Sequence, residues 1–430
     1  MSVHVVLDEL DTAGRTVNLD AATATVLAGT GLVEVRPVGA ARWTLLPRKR
    51  VGAVRVDDLQ VQVNPKDRVG LTRLLFLLGY ASDPGFLDPG YEDVEAEEHP
   101  DLWAVLAESL ARLTERALLH GVLQGYRTVD EAARTVRGRI RIGDQLARRP
   151  GLILPLEVTY DEYTVDTAEN RILRTALRRM LAVPGLNDPT RARLAHLDGR
   201  LDGADVIRRG VPIPHWQPSR LNTRYQPALR LAEVILRNCS AEAGPGDTHV
   251  AAFVVEMWKV FEDFVTVALR ESLTRNYPGH TESQYVSYLD MPVAGDSVVR
   301  LETDVVHLVD SKPRLIFDAK YKVASRGGRY PNADHYQMLA YCTALNLQMA
   351  WLVYAGGASR PTPRRIVNTS VTVVEYPLDL RLQPSKLLAQ IELLAETAWL
   401  SYADGPHVPV VQDQLPALPV ESHEHGHPPI

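Results

Sequence analysis

Two apolar, β-branched runs, Val305–Val309 and Leu315–Phe317, flank the polar cluster Asp310-Ser311-Lys312-Pro313. A polar, proline-bearing cluster between such runs reads as a turn, and its flanks as the two strands of a hairpin. With the turn centred near Ser311 and Lys312, the residue across from Asp304 is Asp318 or its neighbour. Cβ atoms at such positions lie about 5 Å apart. The two-residue period sets Ile316, Asp318, Lys320 and Lys322 on one face of the second strand, and Leu315, Phe317, Ala319 and Tyr321 on the other. Arg300, Glu302 and Asp304 share a face of the first strand in the same way. Facing carboxylates repel. A divalent cation between them removes the repulsion, and oxygen ligands of this kind suit Mg²⁺. The competing account makes Asp304, Asp318 and Lys320 the solvated face of an ordinary hairpin, and an Asp-x-Lys tripeptide alone is too common to decide. Only seven of the 47 basic residues are Lys, yet two of them stand at 320 and 322. In a chain that favours Arg, a compact ammonium here points to a group that orients or deprotonates a water.

A chain of 430 residues can bury a large core and should form two or three domains. Its two cysteines, Cys239 and Cys342, are too few for a disulfide framework or a four-cysteine cluster. That fits a reducing cytoplasm and excludes an iron–sulfur nuclease. Neither a signal peptide nor an apolar run of about 20 residues is evident, so a membrane or secreted assignment has no support. The formal net charge of −6 argues against a generally basic nucleic-acid binder, so contacts to DNA must come from local patches or from a partner.

Residues 1 to about 65 alternate apolar and polar with many Val and Thr, which predicts a β-rich, barrel-like opening. Helices are expected from Lys66 onward and from Asp101 to His120. The densest basic run holds Arg137, Arg139 and Arg141, which would share one face of a strand and meet phosphate or an acidic partner, or simply solvent. Asp166 or Thr167 is expected to cap a helix from Ala168 to Leu181, which accounts for the nearby acids without a metal. Further helices within 184–218 and from Tyr225 to Cys239 suggest a helical bundle projecting from the β-rich part. Ser240–Thr248, small and polar, reads as the domain boundary. A helix is then predicted over Val250–Leu273, with Trp258 in its wide apolar stripe and Glu262 at the edge. A carboxylate at such an edge is either ion-paired or snorkelling, or it is a third acid, Glu262, reaching the metal at the hairpin. The segment from Arg326 to Asp334 reads as a mobile loop into a helix over His335–Leu345, on which Gln337 and Tyr341 share a face. Runs at 348–354 and 367–374 would extend the sheet, and a last amphipathic helix covers Lys386–Leu400. The resulting organisation is 1–245, β-rich plus helical; 246–402, carrying the hairpin; and 403–430, a proline-rich tail with His423, His425 and His427, expected to be disordered.

Helix-borne Glu262, then Asp304, Asp318-Ala319-Lys320 and Gln337 to Tyr341, in that order, resemble the PD-(D/E)xK nuclease fold in its RecB-like form. More narrowly, these residues with their neighbours, Arg137 to Ile140 and Tyr160 to Asn170, resemble the McrC family, the nuclease subunits of McrBC modification-dependent restriction systems. The resemblance spans roughly residues 30 to 400. One departure is Thr303 where the usual residue before the first Asp is Pro. The resemblance implies an α/β chain: a C-terminal restriction-endonuclease-like domain, its mixed central sheet flanked by helices, after a β-rich N-terminal domain with a helical projection. It implies that Asp304 and Asp318 ligate Mg²⁺ (Mn²⁺ as a substitute), that Glu262 assists, and that Lys320 positions or activates water. Gln337, Tyr341 and Lys322 would support the site or touch DNA. It also implies docking of the N-terminal region on a hexameric McrB-like AAA+ GTPase and stimulation of its GTP hydrolysis. The sequence itself lacks a G-x-x-x-x-G-K-[ST] phosphate loop, so no nucleotide is expected on this chain. Two other readings remain open: a stand-alone RecB-like nuclease, and a non-catalytic assembly factor that activates a GTPase.

Overall fold

The computed structural model describes residues 3–66, 69–84, 101–243, 249–291, 298–322, 332–356 and 360–403. In chain order the elements are β1 (Val3–Asp8), β2 (Arg15–Asn18), α1 (Ala21–Gly29), β3 (Val33–Gly39), β4 (Arg42–Pro47), β5 (Val51–Val56), β6 (Leu59–Asn64), α2 (Leu71–Ser82) and α3 (Leu102–Leu118). Next come β7 (Gly125–Ala133), β8 (Arg139–Ile140), α4 (Ile142–Arg148), β9 (Leu156–Thr164), α5 (Ala168–Leu181), α6 (Asp188–Arg200), α7 (Gln226–Asn238), β10 (Cys239–Ala243) and β11 (His249–Val255). The remainder is α8 (Met257–Asn276), β12 (His280–Tyr288), β13 (Arg300–Val309), β14 (Lys312–Lys320), α9 (Asn332–Leu345), β15 (Met349–Ala355), β16 (Thr362–Arg365), β17 (Thr372–Leu378) and α10 (Pro384–Ala403).

The β-rich opening is two sheets rather than a barrel. The larger has the order β1-β6-β5-β11-β10 and the smaller β2-β4-β3. They share an apolar core with α1 that includes Leu7, Leu27, Leu32, Leu45, Val54 and Val61. Strand β11 is the correction to the helix expected from Val250. The run Val250–Val255 is short, apolar and β-branched, and its periodicity cannot separate a strand from a buried helix. It pairs antiparallel with β5, from Val250 opposite Val56 to Val255 opposite Val51. Gly52, at φ +135, makes that approach possible: a Cβ there would lie 1.9 Å from the Phe253 carbonyl oxygen. The boundary expected over Ser240–Thr248 therefore falls inside a hairpin of the N-terminal sheet. The helix proper begins at Met257.

The helices do not project. α3, α5, α6 and α7 pack together in one apolar core that continues through Phe261 and Phe264 of α8 to Phe317 and Leu394. Thr167 caps α5 as predicted, its hydroxyl accepting from the Asn170 N–H at 3.3 Å. What stands away from the core is the small antiparallel sheet β7-β9-β8 with α4, where Tyr126, Ile142, Leu146, Ile153 and Tyr163 are all exposed.

The C-terminal sheet has the order β12-β13-β14-β15-β17-β16. β14, β15 and β17 run parallel, and the other neighbours pair antiparallel. Val305, Leu315 and Phe317 face α8 and α10, while Val306 and Ile316 face Met338, Tyr341 and Cys342 of α9. No helix among the described residues is long and apolar enough to cross a membrane. The tail from 404 to 430 and the loop over 323–331 lie outside the described residues.

Candidate active site

The hairpin turn is Asp310-Ser311, one residue earlier than expected, with φ +52 and +60. Two consecutive left-handed residues make the tight turn whose twist matches paired strands. Lys312 and Pro313 belong to β14, paired with Val309 and Leu308. A bulge between His307 and Leu308 then shifts the register, so that His307 faces Leu315 and Val305 faces Phe317. Continued one step, this register sets Asp304 across from Asp318. Without the bulge Asp304 would face Phe317, so one extra residue in β14 brings the two acids together.

Asp318 is fully buried. The Lys320 ammonium lies 2.5 Å from its Oδ2, but neither oxygen makes a hydrogen bond of normal geometry, and Oδ1 has no protein partner. Burial, and then the neighbouring Asp304, push its carboxyl up to about 7 despite Lys320. Asp304 is likewise raised by burial, less so because its Oδ2 accepts the Ala319 N–H at 2.9 Å and Lys320 is near. Burial alone would lower the Lys320 ammonium, but Asp318, with Asp304 and Asp334, outweighs it and raises it. The site is thus one fully buried acid, one partly buried acid and one cation, with an excess of negative charge when both acids ionise.

Glu262 comes from α8. Burial and Asp304 raise its carboxyl, and its Oε1 accepts from Gln284 Nε2 at 2.8 Å. Gln284 was not singled out by the sequence. It interrupts the β12–β13 ladder between Ser283, opposite Val305, and Tyr285, opposite Thr303, with φ +52. A non-glycine residue held in that region is strained, and the strain here lies directly across from Asp304. Among the described residues no three His, Cys, Asp or Glu side chains converge as a ready ligand cluster. The arrangement is a carboxylate pair with Glu262 on its flank.

α9 closes the other side. Gln337 donates to the Tyr341 hydroxyl at 2.6 Å, which donates to the Glu302 carbonyl at 2.6 Å. Tyr341 is buried and ties the helix to β13; burial and then Asp318 raise its phenol. Lys322 has left the strand face. Its ammonium lies 2.5 Å from Oδ1 of Asp334, whose Oδ2 accepts from Tyr354 at 3.1 Å. Tyr354 is the ladder partner of Lys320. Asp334, buried in the first turn of α9, is a residue that sequence reasoning missed, because it was assigned to the preceding loop.

The basic run does not form the expected strand face. Arg141 is the N-cap of α4, bound to Glu157 at 3.0 Å, to Asp130 at 3.4 Å and to Asp144. Arg137 lies over the Tyr160 ring at 4.1 Å, and both it and Arg139 are exposed. Of the two residues expected to cap α5, Thr167 does so, and Asp166 is held by Arg127 and Arg171.

A family model described as McrBC 5-methylcytosine restriction system component matches residues 46–355. The fold resembles a chain in a refined half-complex from a tetradecameric assembly of Thermococcus gammatolerans McrB AAA+ hexamers with bound McrC. There the identity is 18%, the TM-score 0.54, and the match covers 91% of this chain and 99% of that one. A chain in a cryo-EM structure of the Thermococcus gammatolerans McrBC complex is 20% identical at a TM-score of 0.38, over 63% of this chain and 88% of that one. No curated protein matches. The family match covers well over half of the sequence and includes the Asp304–Lys320 hairpin, so this chain belongs to the McrBC 5-methylcytosine restriction system component family.

Proposed function

We propose that the chain is the nuclease subunit of an McrBC-like restriction system, a PD-(D/E)xK phosphodiesterase that cleaves DNA with an AAA+ GTPase partner. The observation that carries this reading is the Asp304–Asp318 pair, with an orphaned, fully buried Oδ1 on Asp318 and Lys320 beside it. A buried acid whose charge Lys320 only partly offsets is expensive, and a divalent cation is the economical further partner for the pair. Mg²⁺ commonly uses one or two carboxylates and completes its shell with water and substrate phosphate, so the pair fits Mg²⁺, and Mn²⁺ as a substitute, without a third protein ligand. When bound, the metal would supply Lewis-acid stabilisation of the scissile phosphate and lower the pKa of water.

The chain's own groups do the rest. Asp304 and Asp318 would hold the metal, the first fixed by the Ala319 N–H. Lys320 has donors and no acceptor, so it orients water or phosphate rather than ligating. Glu262, fixed by Gln284, stands where it can take a proton or assist the acids. Tyr341 and Gln337 hold α9 against β13 so that the acids keep their spacing.

The partner reading rests on the family and on the exposed apolar side chains of β7, α4, β9 and the segment between them, a concentration that monomers rarely leave in water. This face would dock a McrB-like hexamer; in the Thermococcus assembly McrC is bound to McrB AAA+ hexamers. The test is cleavage of methylated and unmethylated DNA with Mg²⁺, with and without the GTPase and GTP. No cleavage by the complete mixture, under conditions where Asp304→Ala matches the parent, would remove the nuclease assignment.

A further inference from the structure

Two joined hollows follow the outer side of α8 as far as Glu262 and Gln284. The first, about 350 Å³, is lined by Arg48, Lys49, Arg50, Glu256 and Trp258. The second, about 870 Å³, shares Arg50 and Glu256 and runs past Lys259 and Arg270 to Glu262 and Gln284 at the candidate site. The buried stripe of α8 is Met257, Val260, Phe261, Phe264, Val265, Ala268 and Leu269. Trp258 lies off it and is 52% exposed, against the expectation that it belongs to the core. A half-exposed indole needs a reason, and cations surround this one.

Arg50 is held across the junction by Glu256, at 3.1 Å from Nε and 2.6 Å from its terminal nitrogen, which fixes the floor between the hollows. Burial raises the Asp263 carboxyl, and Lys259 counters this only in part. Arg48, Lys49 and Arg270 are exposed, and Lys49 sits at φ +56 in the turn between β4 and β5. In a chain of net charge −6 this is a local basic strip with an aromatic inside it, the combination that grips a nucleic-acid backbone and stacks a base. Its far end is Glu262 and Gln284, on the flank of the acid pair, and Trp258 stands one helical turn, about 5.4 Å, from Glu262. That is one to two nucleotide steps at about 3.4 Å each.

We propose that these hollows hold the DNA strand next to the scissile phosphate, with Arg48, Lys49 and Arg270 on phosphates and Trp258 stacked on an unpaired base. The proposal rests on the nuclease reading for what lies at the end of the track, but it is tested by binding. Labelled DNA, fully paired or with a short single-stranded gap, is titrated with the full chain, with and without the GTPase partner, in Ca²⁺ to withhold cleavage, across a range of salt. Trp258→Ala should weaken gapped DNA about 10-fold and Trp258→Phe should recover most of that, since stacking needs only a ring. Arg48→Ala with Lys49→Ala should flatten the slope of log affinity against log salt by about 2, and Arg270→Ala by about 1. Parental affinity and slope in all variants would overturn the proposal. So would intact DNA binding with lost stimulation of GTP hydrolysis, which would make the strip a protein contact. Weakened binding by the variants, in a parent that binds but never cleaves, would support the track and sink the nuclease assignment alone.

Discussion

Replacing Asp318 by Asn should stabilise the metal-free protein. Below its ordinary 3.8 the carboxyl is protonated both folded and unfolded, so it contributes nothing to the pH dependence of stability. Between 3.8 and about 7 the unfolded chain releases the proton while the folded chain keeps it, so stability falls as pH rises. At about 1.4 kcal/mol per pH unit the loss reaches about 4 kcal/mol above pH 7, with the attraction of Lys320 already included. Asn keeps the shape and carries no charge. Urea unfolding in EDTA should therefore show the variant more stable than the parent by a few kcal/mol at pH 8, and by clearly less at pH 5. Mg²⁺ should narrow the gap by stabilising the parent alone. A variant no more stable than the parent at pH 8 would mean that the ionised carboxylate is already satisfied, and the argument for a cation at this pair would fail.

Four further outcomes are expected. Lys320→Ala should abolish cleavage while leaving Mg²⁺ binding, followed by calorimetry, and partner GTP hydrolysis near parental; Lys320→Arg should rescue poorly, because guanidinium is larger and stays protonated. Asp334→Asn should slow single-turnover cleavage about 10- to 100-fold with DNA affinity unchanged, since it acts through Lys322 and Tyr354 on the strand end that carries Lys320. Tyr341→Phe leaves the Glu302 carbonyl and the Gln337 amide without their partner, and should lower stability by about 1–3 kcal/mol in denaturant titration. Leu146→Asp with Ile153→Asp, both exposed, should abolish co-purification with the GTPase while leaving the unfolding midpoint unchanged; retained binding would move the docking face elsewhere.

The parts of the site that the sequence exposes are those set by local periodicity. Asp304, Asp318 and Lys320 are placed on a hairpin by a two-residue period, although the bulge that sets the two acids opposite one another is not legible, and Gln337 with Tyr341 follows from one helical turn. Thr167 as the cap of α5 is equally local. Gln284 escaped because its role comes from a ladder interruption, and nothing in Ser283-Gln284-Tyr285 marks a positive φ. Asp334 escaped because its burial depends on how α9 crosses the sheet, and Trp258 because an apolar residue at helical spacing carries no sign of which stripe faces water. The run Val250–Val255 was misread where propensity and period are both ambiguous, and the partner strand that decides it, β5, lies far away in sequence. Arg137, Arg139 and Arg141 were grouped by spacing, whereas the acids of β7, α4 and β9 recruit Arg141 inward.

The strand β11 sits between β5 and β10, and its first residue bonds to Asp57 across 192 positions of chain. During synthesis, β5 and β6 must therefore wait for most of the helical part to leave the ribosome before their open edge is closed. An unfinished chain exposes a Val-rich strand edge, the kind that pairs with other chains, and such long-range closure is slow. A product truncated near residue 245 should thus be a substrate for chaperones and proteases rather than a free partner-binding fragment. The cell would then present to the GTPase only chains in which the nuclease half has begun to fold.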